Sequence, residues 1–361
     1  MRNFMKYYIF IMATMLILFN PQSSLQYARA GIDLCCDVLA PSLFPFFVCS
    51  GLLIYSGFCE VLSKAFRPVM RPLFNVGGAG AAAFILGIIS GYPLGASTAC
   101  SLYDSGYLSK PECERLLAFC NNSGPLFILG SVGAAIYHSP KIGALLYLSH
   151  IAAAFSVGLI FRFYKKHDTS AESIPIFTPE KGMGEIFQKA LAGSINSILT
   201  VCGAVVFFSV IANIAADLLS GNQLIKTIFL SLSELTTGIK SIAALDATLW
   251  TKLILSAATA GFAGFCVHLQ VMGVATGRGL SLVPYITGKA LHALLAAVYM
   301  SVLLRIFPIT ASVFSGGATI YGSFFAAAVY TSVGAATLAI VAAILLIFGK
   351  KRFRRRRTAV N

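Results

Sequence analysis

The chain has 361 residues, of which 57% are hydrophobic and only 11% are charged, and its mean hydropathy is +0.82. So much apolar surface cannot be buried in one soluble core, which predicts a polytopic membrane protein. The net charge of +14 does not indicate nucleic acid, because the cations lie between apolar stretches and in a basic tail, as positive-inside orientation requires. The cysteines lack metal-ligand spacing and are expected to be packing residues, so no metal site is predicted.

The N-terminal segment begins with Arg2 and Lys6 and then becomes apolar. Signal peptides share this pattern, and residues 28–30 read Ala-Arg-Ala, which is a cleavage motif. The spacer before that motif is long and the rest of the chain is membranous. We therefore expect an uncleaved anchor helix over residues 1–22.

Residues 23–164 are expected to form a first repeat of membrane segments. The repeat opens with an amphipathic stretch, which is interrupted by Pro41 and Pro45 before an apolar run ends at residue 58. Two prolines so close together break a helix, and half of the segment is too polar to face lipid. The pattern predicts a helical hairpin that enters and leaves the membrane from one side.

The next two segments are predicted to be discontinuous spans. Residues 77–102 are interrupted by Ser-Gly-Tyr-Pro at 90–93, and residues 111–137 are interrupted by Asn-Asn-Ser-Gly-Pro at 121–125. Such breaks persist in a membrane only where they face protein or a wet cavity. We interpret the second break as a solute site, the alternative being an ordinary loop between two short helices. A plain span over residues 142–163 completes the repeat.

A polar linker over residues 165–181 leads into the second repeat, residues 182–306. This repeat is expected to open with a hairpin that is broken at residues 193–197. An apolar run ending at Glu-Leu-Thr-Thr-Gly 234–238, a span over 249–275 that carries His268 and Gln270, and a plain span over 282–306 follow. Residues 307–349 are expected to form a loop and a last transmembrane helix (329–348), and residues 350–361 a basic cytoplasmic tail.

Residue types recur in the same order in the two repeats. Leu-Ala-x-Ser stands at 39–42 and 191–194, and Phe-Cys at 119–120 and 265–266. With three crossings per repeat, the second copy is inverted relative to the first. The predicted fold is therefore an all-α polytopic membrane protein, built as an inverted repeat of a helical hairpin plus discontinuous transmembrane helices.

The distribution of cations tests this topology. The scheme places on the cytoplasmic side Arg2, Lys6, residues 110–115 and 162–181, Arg278 and the basic tail, as the positive-inside rule requires. The cationic segment from Lys64 to Arg71 falls on the outer side and counts against the scheme.

Carboxamides, hydroxyls and backbone amides freed at a helix break can hydrogen-bond a polar solute near the bilayer midplane. For the hydroxyl residues the structural alternative is hydrogen bonding to the preceding helical turn, and Tyr92 is equally compatible with packing. The candidate solute-binding residues are Asn121, Asn122, Ser123, Gly124, Ser90, Ser97, Thr98, Ser42, Ser194, Asn196, Ser197, Thr236, Thr237 and Gln270.

Glu234 and His268 are the candidate ion-coupling residues, because ionisable groups inside a span mark ion or substrate pathways. Glu234 is equally compatible with capping the helix that follows it, or with an interfacial position near Lys240. His268 and Gln270 lie two residues apart and cannot share one face of a regular helix. Either the helix breaks there or one of the two is structural.

An anionic solute would have to be held without a buried cation, because we find no lysine or arginine near the polar breaks of the central spans. Helix N-termini instead supply unpaired N–H groups and partial positive charge. We expect the breaks at Ser42, Ser90, Asn122 and Ser194 to converge on one cavity. A calcium ion or a proton that accompanies the solute would reduce its charge.

Three blocks carry a resemblance to a known family: Ser-Gly-Tyr-Pro at 90–93, Asn-Asn-Ser-Gly-Pro at 121–125 and the weaker Glu-x-Thr-Thr-Gly at 234–238. With them the chain resembles the sporulation integral membrane proteins of the YlbJ family over residues 25–350. That family carries the nucleoside recognition or Gate domain, also found in concentrative nucleoside transporters, and is associated with moving dipicolinic acid into the developing endospore. The resemblance implies a transporter in the mother-cell-derived outer forespore membrane or the cell membrane, and it supplies no binding residues.

The expected function is transport of a small anionic or nucleoside-like solute, most specifically dipicolinic acid. The alternatives are a nucleoside transporter and a membrane scaffold or assembly protein of sporulation; no enzyme is expected, because the histidines have no local nucleophile motif. No cofactor is expected beyond a coupling proton or sodium ion. The expected partners are the solute, the lipid bilayer, and further copies of the chain or other sporulation membrane proteins.

Overall fold

The computed structural model describes residues 2–166, 182–219 and 221–309. Every regular element in these ranges is a helix. Four helical stretches there are long and apolar enough to cross a membrane, and a bent pair would add a fifth, so the prediction of an all-α polytopic membrane protein is confirmed. The helices are α1 (Arg2–Phe19), α2 (Pro21–Leu34), the π-helix π1 (Cys35–Leu39), α3 (Ala40–Tyr55), α4 (Phe58–Phe74), α5 (Gly80–Ser90), α6 (Leu94–Asp104), α7 (Lys110–Cys120), the π-helix π2 (Leu126–Ile136), α8 (Pro140–Phe161), α9 (Met183–Leu218), α10 (Gln223–Ser233), α11 (Leu235–Ala243), α12 (Leu249–Phe262), α13 (Gly264–Ala275) and α14 (Val283–Ile306).

The segment with the two prolines is a bent helix. Residues Pro21–Leu39 and Leu43–Tyr55 are inclined by 54°, and Pro45 lies inside α3. A proline ring removes one helical hydrogen bond and clashes with the preceding turn, which explains a bend at this position. A bend of this size fits a broken span or a re-entrant segment.

The segment that opens the second repeat, α9, is a single helix of 36 residues. The break predicted at residues 193–197 is therefore wrong. Ser194 Oγ donates to Ala190 O at 2.6 Å, and Ser197 Oγ donates to Gly193 O at 2.8 Å. These bonds to the preceding turn satisfy the hydroxyls without opening the helix.

The helices α5 and α6 fold back on each other. In one continuous helix Gly87 and Gly95 would lie about 12 Å apart, whereas a Cβ added at Gly87 would lie 3.1 Å from the Gly95 Cα. The chain reverses at Gly91, whose φ of +86° favours glycine. We call α5 and α6 the first hairpin. The discontinuous span predicted over residues 77–102 is therefore wrong, because its break is the tip of a hairpin.

The helices α10 and α11 also fold back on each other. The hydroxyl oxygens of Thr227 and Ser241 lie 2.8 Å apart, although these residues would be separated by about 21 Å along a continuous helix. The reversal occurs at Glu234, the single residue between the two helices. We call α10 and α11 the second hairpin.

The helix α7 and the π-helix π2 form the first broken span, interrupted at residues 121–125. The helix α8 returns beside it: Arg115 Nη1 donates to Tyr164 O at 2.8 Å, and at the other end Gly133 packs against the Gly143 Cα with no room for a Cβ. The discontinuous span predicted over residues 111–137 is thus present, as is the plain span after it.

The helices α12 and α13 form the second broken span, which is followed by the plain helix α14. The second broken span is interrupted at Ala263 and Gly264, where φ is +78° and +77°. The helix does not break between His268 and Gln270, since both lie in α13. The alternative that placed a break at those two residues is therefore wrong, because the break lies several positions earlier in the chain.

Two polar ends bound this bundle. We call one of them the Glu114 end. There the Glu114 carboxylate accepts hydrogen bonds from Lys165 Nζ and from Ser281 N–H, each at 2.8 Å. The bond to Glu114 raises the pKa of the Lys165 ammonium above its usual value. At the other, the Tyr137 end, the hydroxyls of Tyr137 and Ser256 lie 2.7 Å apart.

The two hairpins enter the bundle from opposite ends. The arms of the first open at the Glu114 end, because α6 leads through residues 105–109 into α7. The arms of the second open at the Tyr137 end, because α11 leads through residues 244–248 into α12, whose Lys252 carbonyl accepts a hydrogen bond from Tyr137. Hairpin, broken span and plain helix thus recur in inverted orientation.

The cationic segment from Lys64 to Arg71 lies at the Glu114 end. Arg71 Nη1 pairs with Glu112 Oε1 at 2.7 Å, and a Cβ on Gly78 would lie 2.9 Å from the Arg67 nitrogen. Placing this segment on the side opposite residues 110–115 is therefore wrong, and the segment no longer counts against the predicted charge distribution. Of the remaining predictions, residues 167–181 of the linker, the span over 329–348 and the tail over 350–361 lie outside the described residues.

Candidate functional site

The tip of the first hairpin packs directly on the break of the first broken span. A Cβ on Gly91 would lie 2.9 Å from the Gly124 nitrogen, and a Cβ on Gly124 would lie 3.3 Å from the Gly91 nitrogen. Backbone therefore meets backbone with almost no room for side chains. Ser90, at the same tip, has its hydroxyl 3.1 Å from that of Ser50 in α3. We call this contact the first junction.

The break itself is fully enclosed by protein. Asn121, Asn122 and Ser123 are each at most 1% exposed. Asn122 Nδ2 donates to Phe119 O at 2.9 Å, and Ser123 N–H donates to His150 Nε2 at 3.0 Å. The freed backbone groups thus face other helices rather than lipid, which is the condition under which such a break persists in a membrane.

The second hairpin and the second broken span make an equivalent contact, the second junction. A Cβ on Gly264 would lie 3.2 Å from Ser233 O and 3.3 Å from the Glu234 Cα. The preceding Ala263 has φ of +78°, a conformation that carries strain in a residue with a side chain. Both breaks are therefore closed by the tip of a hairpin.

Glu234 caps the helix that begins at this tip. Its Oε1 accepts the Thr236 N–H at 3.0 Å, and its Oε2 accepts the N–H and the hydroxyl of Thr237, both at 2.8 Å. A carboxylate is favourable at this position because it pairs with unbonded N–H groups at the positive end of the helix. Of the alternatives for Glu234, capping describes the observed geometry.

The two junctions adjoin each other. The Tyr92 hydroxyl, at the tip of the first hairpin, donates to Ala260 O at 2.8 Å, shortly before the break of the second broken span. Leu86 and Leu94 of the first hairpin also pack in one apolar cluster with Cys266 of α13. A solute bound at one junction would therefore lie close to the other.

A buried lysine reaches the first junction from α14. Lys289 is 1% exposed; its Nζ donates to Asn121 O at 3.2 Å and lies 5.2 Å from the centre of the Tyr92 ring. The expectation that no cation lies near the polar breaks is therefore wrong. Lys289 stands inside an otherwise apolar span, and that signal alone marks a functional candidate, although the residue is far in sequence from both breaks.

Two histidines stack beside the break. The rings of His150 in α8 and His292 in α14 have centroids 4.4 Å apart, and His292 Nε2 lies 3.0 Å from His150 O. Because Ser123 N–H donates to His150 Nε2, that nitrogen carries no proton, and neutral His150 is protonated at Nδ1. The sequence offers no motif that brings these two histidines together, since they come from equivalent helices of different repeats.

Several buried side chains around the junctions keep a polar atom without a hydrogen-bond partner. Buried polar groups are normally paired, so such a cluster calls for a ligand or water. The atoms are Thr98 Oγ1, Asn121 Nδ2 and Oδ1, Asn122 Oδ1, His150 Nδ1, His268 Nε2, Gln270 Oε1 and His292 Nδ1.

His268 and Gln270 point to different neighbours. His268 Nδ1 lies 2.9 Å from the Tyr285 hydroxyl on α14, whereas Gln270 Nε2 donates to Cys266 Sγ at 3.5 Å within α13. Both side chains are buried. Each thus has one bonded and one unbonded polar atom within the second broken span.

The predicted set divides between residues at the junctions and residues elsewhere on the helices. Ser90, Asn121, Asn122, Ser123, Gly124, Thr236 and Thr237 lie at the junctions, and Thr98 and half-buried Ser97 lie on α6. Ser194 and Ser197 bond to their own helix and Asn196 is exposed, so the predicted helix N-terminus at Ser194 does not exist. Ser42 lies at the 54° bend between Pro21–Leu39 and Leu43–Tyr55, and its side chain is outside the described residues. The predicted convergence of four breaks is wrong, and two hairpin tips meet two breaks instead.

Comparison with known proteins identifies the family. Residues 37–218 match the family described as Gate, nucleoside recognition. Over 334 residues the chain is 29% identical to the sporulation integral membrane protein YlbJ of Bacillus subtilis (strain 168), which covers 83% of this chain and 81% of that protein. No solved structure matches the chain. The family match includes both sides of the first junction and half of the chain, and the chain belongs to the Gate, or nucleoside recognition, family.

Proposed function

We propose that this protein is a membrane transporter that carries a small polar solute through the paired junctions. The observation that carries the proposal is that two hairpin tips, entering from opposite ends, close two helix breaks inside the bundle. Secondary transporters commonly bind solutes at discontinuous helices between inverted repeats, because freed backbone groups there can replace water around the solute. The unbonded atoms of Asn121, Asn122 and Gln270 are suitable partners for such a solute.

The opposite entry of the hairpins supplies a route for alternating access. Displacement of the first hairpin opens the junctions toward the Glu114 end, and displacement of the second opens them toward the Tyr137 end. We place the Glu114 end in the cytoplasm, since Arg71, Lys165 and Arg278 all lie there.

Dipicolinate is the solute we propose first. The resemblance to the YlbJ family implies it, and the relative that matches over most of both chains is a sporulation integral membrane protein by its printed name. In this proposal the protein stands in the outer forespore membrane and delivers dipicolinate from the mother cell toward the forespore. A nucleoside is the second candidate, because the description of the matching family is nucleoside recognition.

Energy coupling would come from an ion gradient. Glu234 lies at the second junction and is 4% exposed, so its carboxylate is placed to exchange a proton or to contact sodium when the hairpin tip moves. The cap that it forms would then be made and released during the cycle. A calcium ion travelling with dipicolinate would reduce the net charge of the solute.

Uptake by the purified full chain in sealed vesicles tests the proposal. Labelled dipicolinate and a panel of labelled nucleosides are offered with proton, sodium and calcium gradients imposed separately. We expect saturable dipicolinate uptake that depends on one gradient and is absent from protein-free vesicles. Uptake of a nucleoside alone would favour the second candidate, and uptake of neither would contradict transport.

A membrane scaffold of sporulation is the remaining alternative. A scaffold would tolerate apolar replacement of the junction residues as long as it folds, whereas a transporter would not. In a sporulating host, a folded variant such as Asn122→Leu should therefore fail to restore spore dipicolinate. Full restoration would favour the scaffold, with other sporulation membrane proteins or further copies of the chain as its partners.

A further inference from the structure

We propose that Lys289 is the residue that recognises a carboxylate group of the solute, and that it selects anionic over neutral solutes. This inference rests on the proposed transport function. It starts from a buried lysine that has no acidic partner among the described residues. The ion pairs of the described residues all involve other cations, and none includes Lys289.

An ammonium group has three N–H donors. The described contacts of Lys289 are one hydrogen bond to Asn121 O and the face of the Tyr92 ring. A backbone carbonyl and a ring face carry no net negative charge, so they do not neutralise the lysine. Burial without a counterion disfavours the charged form of a lysine inside a membrane, and a bound anion favours it.

The surroundings of Lys289 suit a flat carboxylate-bearing solute. The unbonded carboxamide of Asn121 and the unbonded Oδ1 of Asn122 lie in the break whose carbonyl Lys289 contacts, and the Tyr92 ring offers a surface on which a planar ring can stack. One lysine neutralises one carboxylate, so a dicarboxylate would enter with a proton or a metal cation on its second group.

The tip of the first hairpin covers this site. Tyr92 belongs to the tip and is held by its bond to Ala260 O, so movement of the tip would remove the ring from Lys289 and admit the solute. The lysine would therefore be exposed only when the hairpin opens.

Binding measurements with matched solutes test the inference. The full chain is purified in lipid nanodiscs, and binding is measured for dipicolinate, for picolinate with its single carboxylate, and for the neutral pyridine-2,6-dicarboxamide. We expect Lys289→Gln to weaken binding of both carboxylates about tenfold or more and to leave binding of the diamide unchanged. Lys141→Gln, which changes an exposed lysine at the Tyr137 end, is the matched control and should change none of them.

A second variant tests the same inference if Lys289→Gln does not fold. Asn121→Asp adds a negative charge to the residue whose backbone carbonyl Lys289 contacts, and it should lower binding of the carboxylates more than binding of the diamide. Equal losses for charged and neutral solutes, or no loss at all, would overturn the role of Lys289. If the wild-type protein transports a nucleoside but binds neither carboxylate, this inference is overturned and the proposed transport function stands. If the wild-type protein neither transports nor binds any of the solutes, both are overturned.

Discussion

Gly91 and Gly124 pack backbone against backbone, with the position of a Gly91 Cβ only 2.9 Å from the Gly124 nitrogen. The contact joins the reversal of one element to the interruption of another, so two stretches of irregular backbone shield each other from lipid. Glu234 and Gly264 repeat the arrangement in the second half. Polar backbone is thereby kept inside the bundle without facing hydrocarbon.

Replacing Gly91 by alanine should disrupt the first junction. The residue has φ of +86° and ψ of −172°, a region that is almost exclusive to glycine and costs about 1–3 kcal/mol for other residues. The added Cβ would also meet Gly124. We expect Gly91→Ala to lower the Tm of the purified protein and to reduce transport. Gly203→Ala is the matched control, since nothing lies within 4 Å of a Cβ there and alanine favours the helix. Equal Tm values for the two variants would contradict the close packing.

The sequence predicts where the chain is interrupted better than how it continues afterwards. The break at residues 121–125 is visible because glycine, proline and two carboxamides interrupt an apolar run. Residues 90–93 also contain glycine and proline within an apolar run. The helices on either side have the same periodicity whether the chain reverses or continues in one direction. Only packing against α7 decides between these two structures. Ser194 and Ser197 gave a false break because their hydroxyls bond to the preceding turn.

Two features of the site had almost no local signal. Ala263 adopts a positive φ although alanine is a strong helix former, because the packing of Gly264 against Glu234 fixes the backbone there. The approach of Lys289 to Asn121 joins residues far apart in the sequence. Both are consequences of tertiary packing, whereas the candidates Asn121 and Asn122 follow from sequence alone.

Changing Glu234 to glutamine should alter the response of transport to an imposed proton or sodium gradient. The amide keeps one acceptor oxygen and loses the charge, so part of the cap on Thr236 and Thr237 is also lost, at about 1 kcal/mol. The readout is uptake with each gradient in turn, and Glu185→Gln on the exposed start of α9 is the control. If Glu234→Gln keeps the full response to both gradients, its carboxylate is only a cap.

His150 should be required as an acceptor rather than as a base. His150→Leu would leave the buried Ser123 N–H without a partner, at a cost of about 1–3 kcal/mol, whereas His150→Gln retains an oxygen that can accept the bond. We expect a clearly lower Tm for the leucine variant than for the glutamine variant. Equal destabilisation by both would show that the stacking of His150 on His292, rather than the bond to Ser123, is what stabilises the break.

The side of the membrane on which the Glu114 end lies can be measured directly. Single cysteines at Lys166 and at Lys141, two exposed positions at opposite ends of the bundle, are labelled with a membrane-impermeant maleimide, with the unmodified chain as background. We expect Lys166→Cys to react only when the cytoplasmic side is accessible and Lys141→Cys only from the other side. The reverse pattern would invert the proposed orientation.

Counterflow of labelled dipicolinate in vesicles tests the central claim, that the solute passes through the buried break at residues 121–125. Asn122 is fully buried, so leucine there removes its polar atoms from the site, while Asn196→Leu changes an exposed carboxamide on α9. We predict counterflow by wild type and Asn196→Leu, and an initial rate about tenfold lower for folded Asn122→Leu, as expected for the loss of about 1.4 kcal/mol of hydrogen bonding. Wild-type counterflow no greater than that of protein-free vesicles, or full activity of Asn122→Leu, would contradict it.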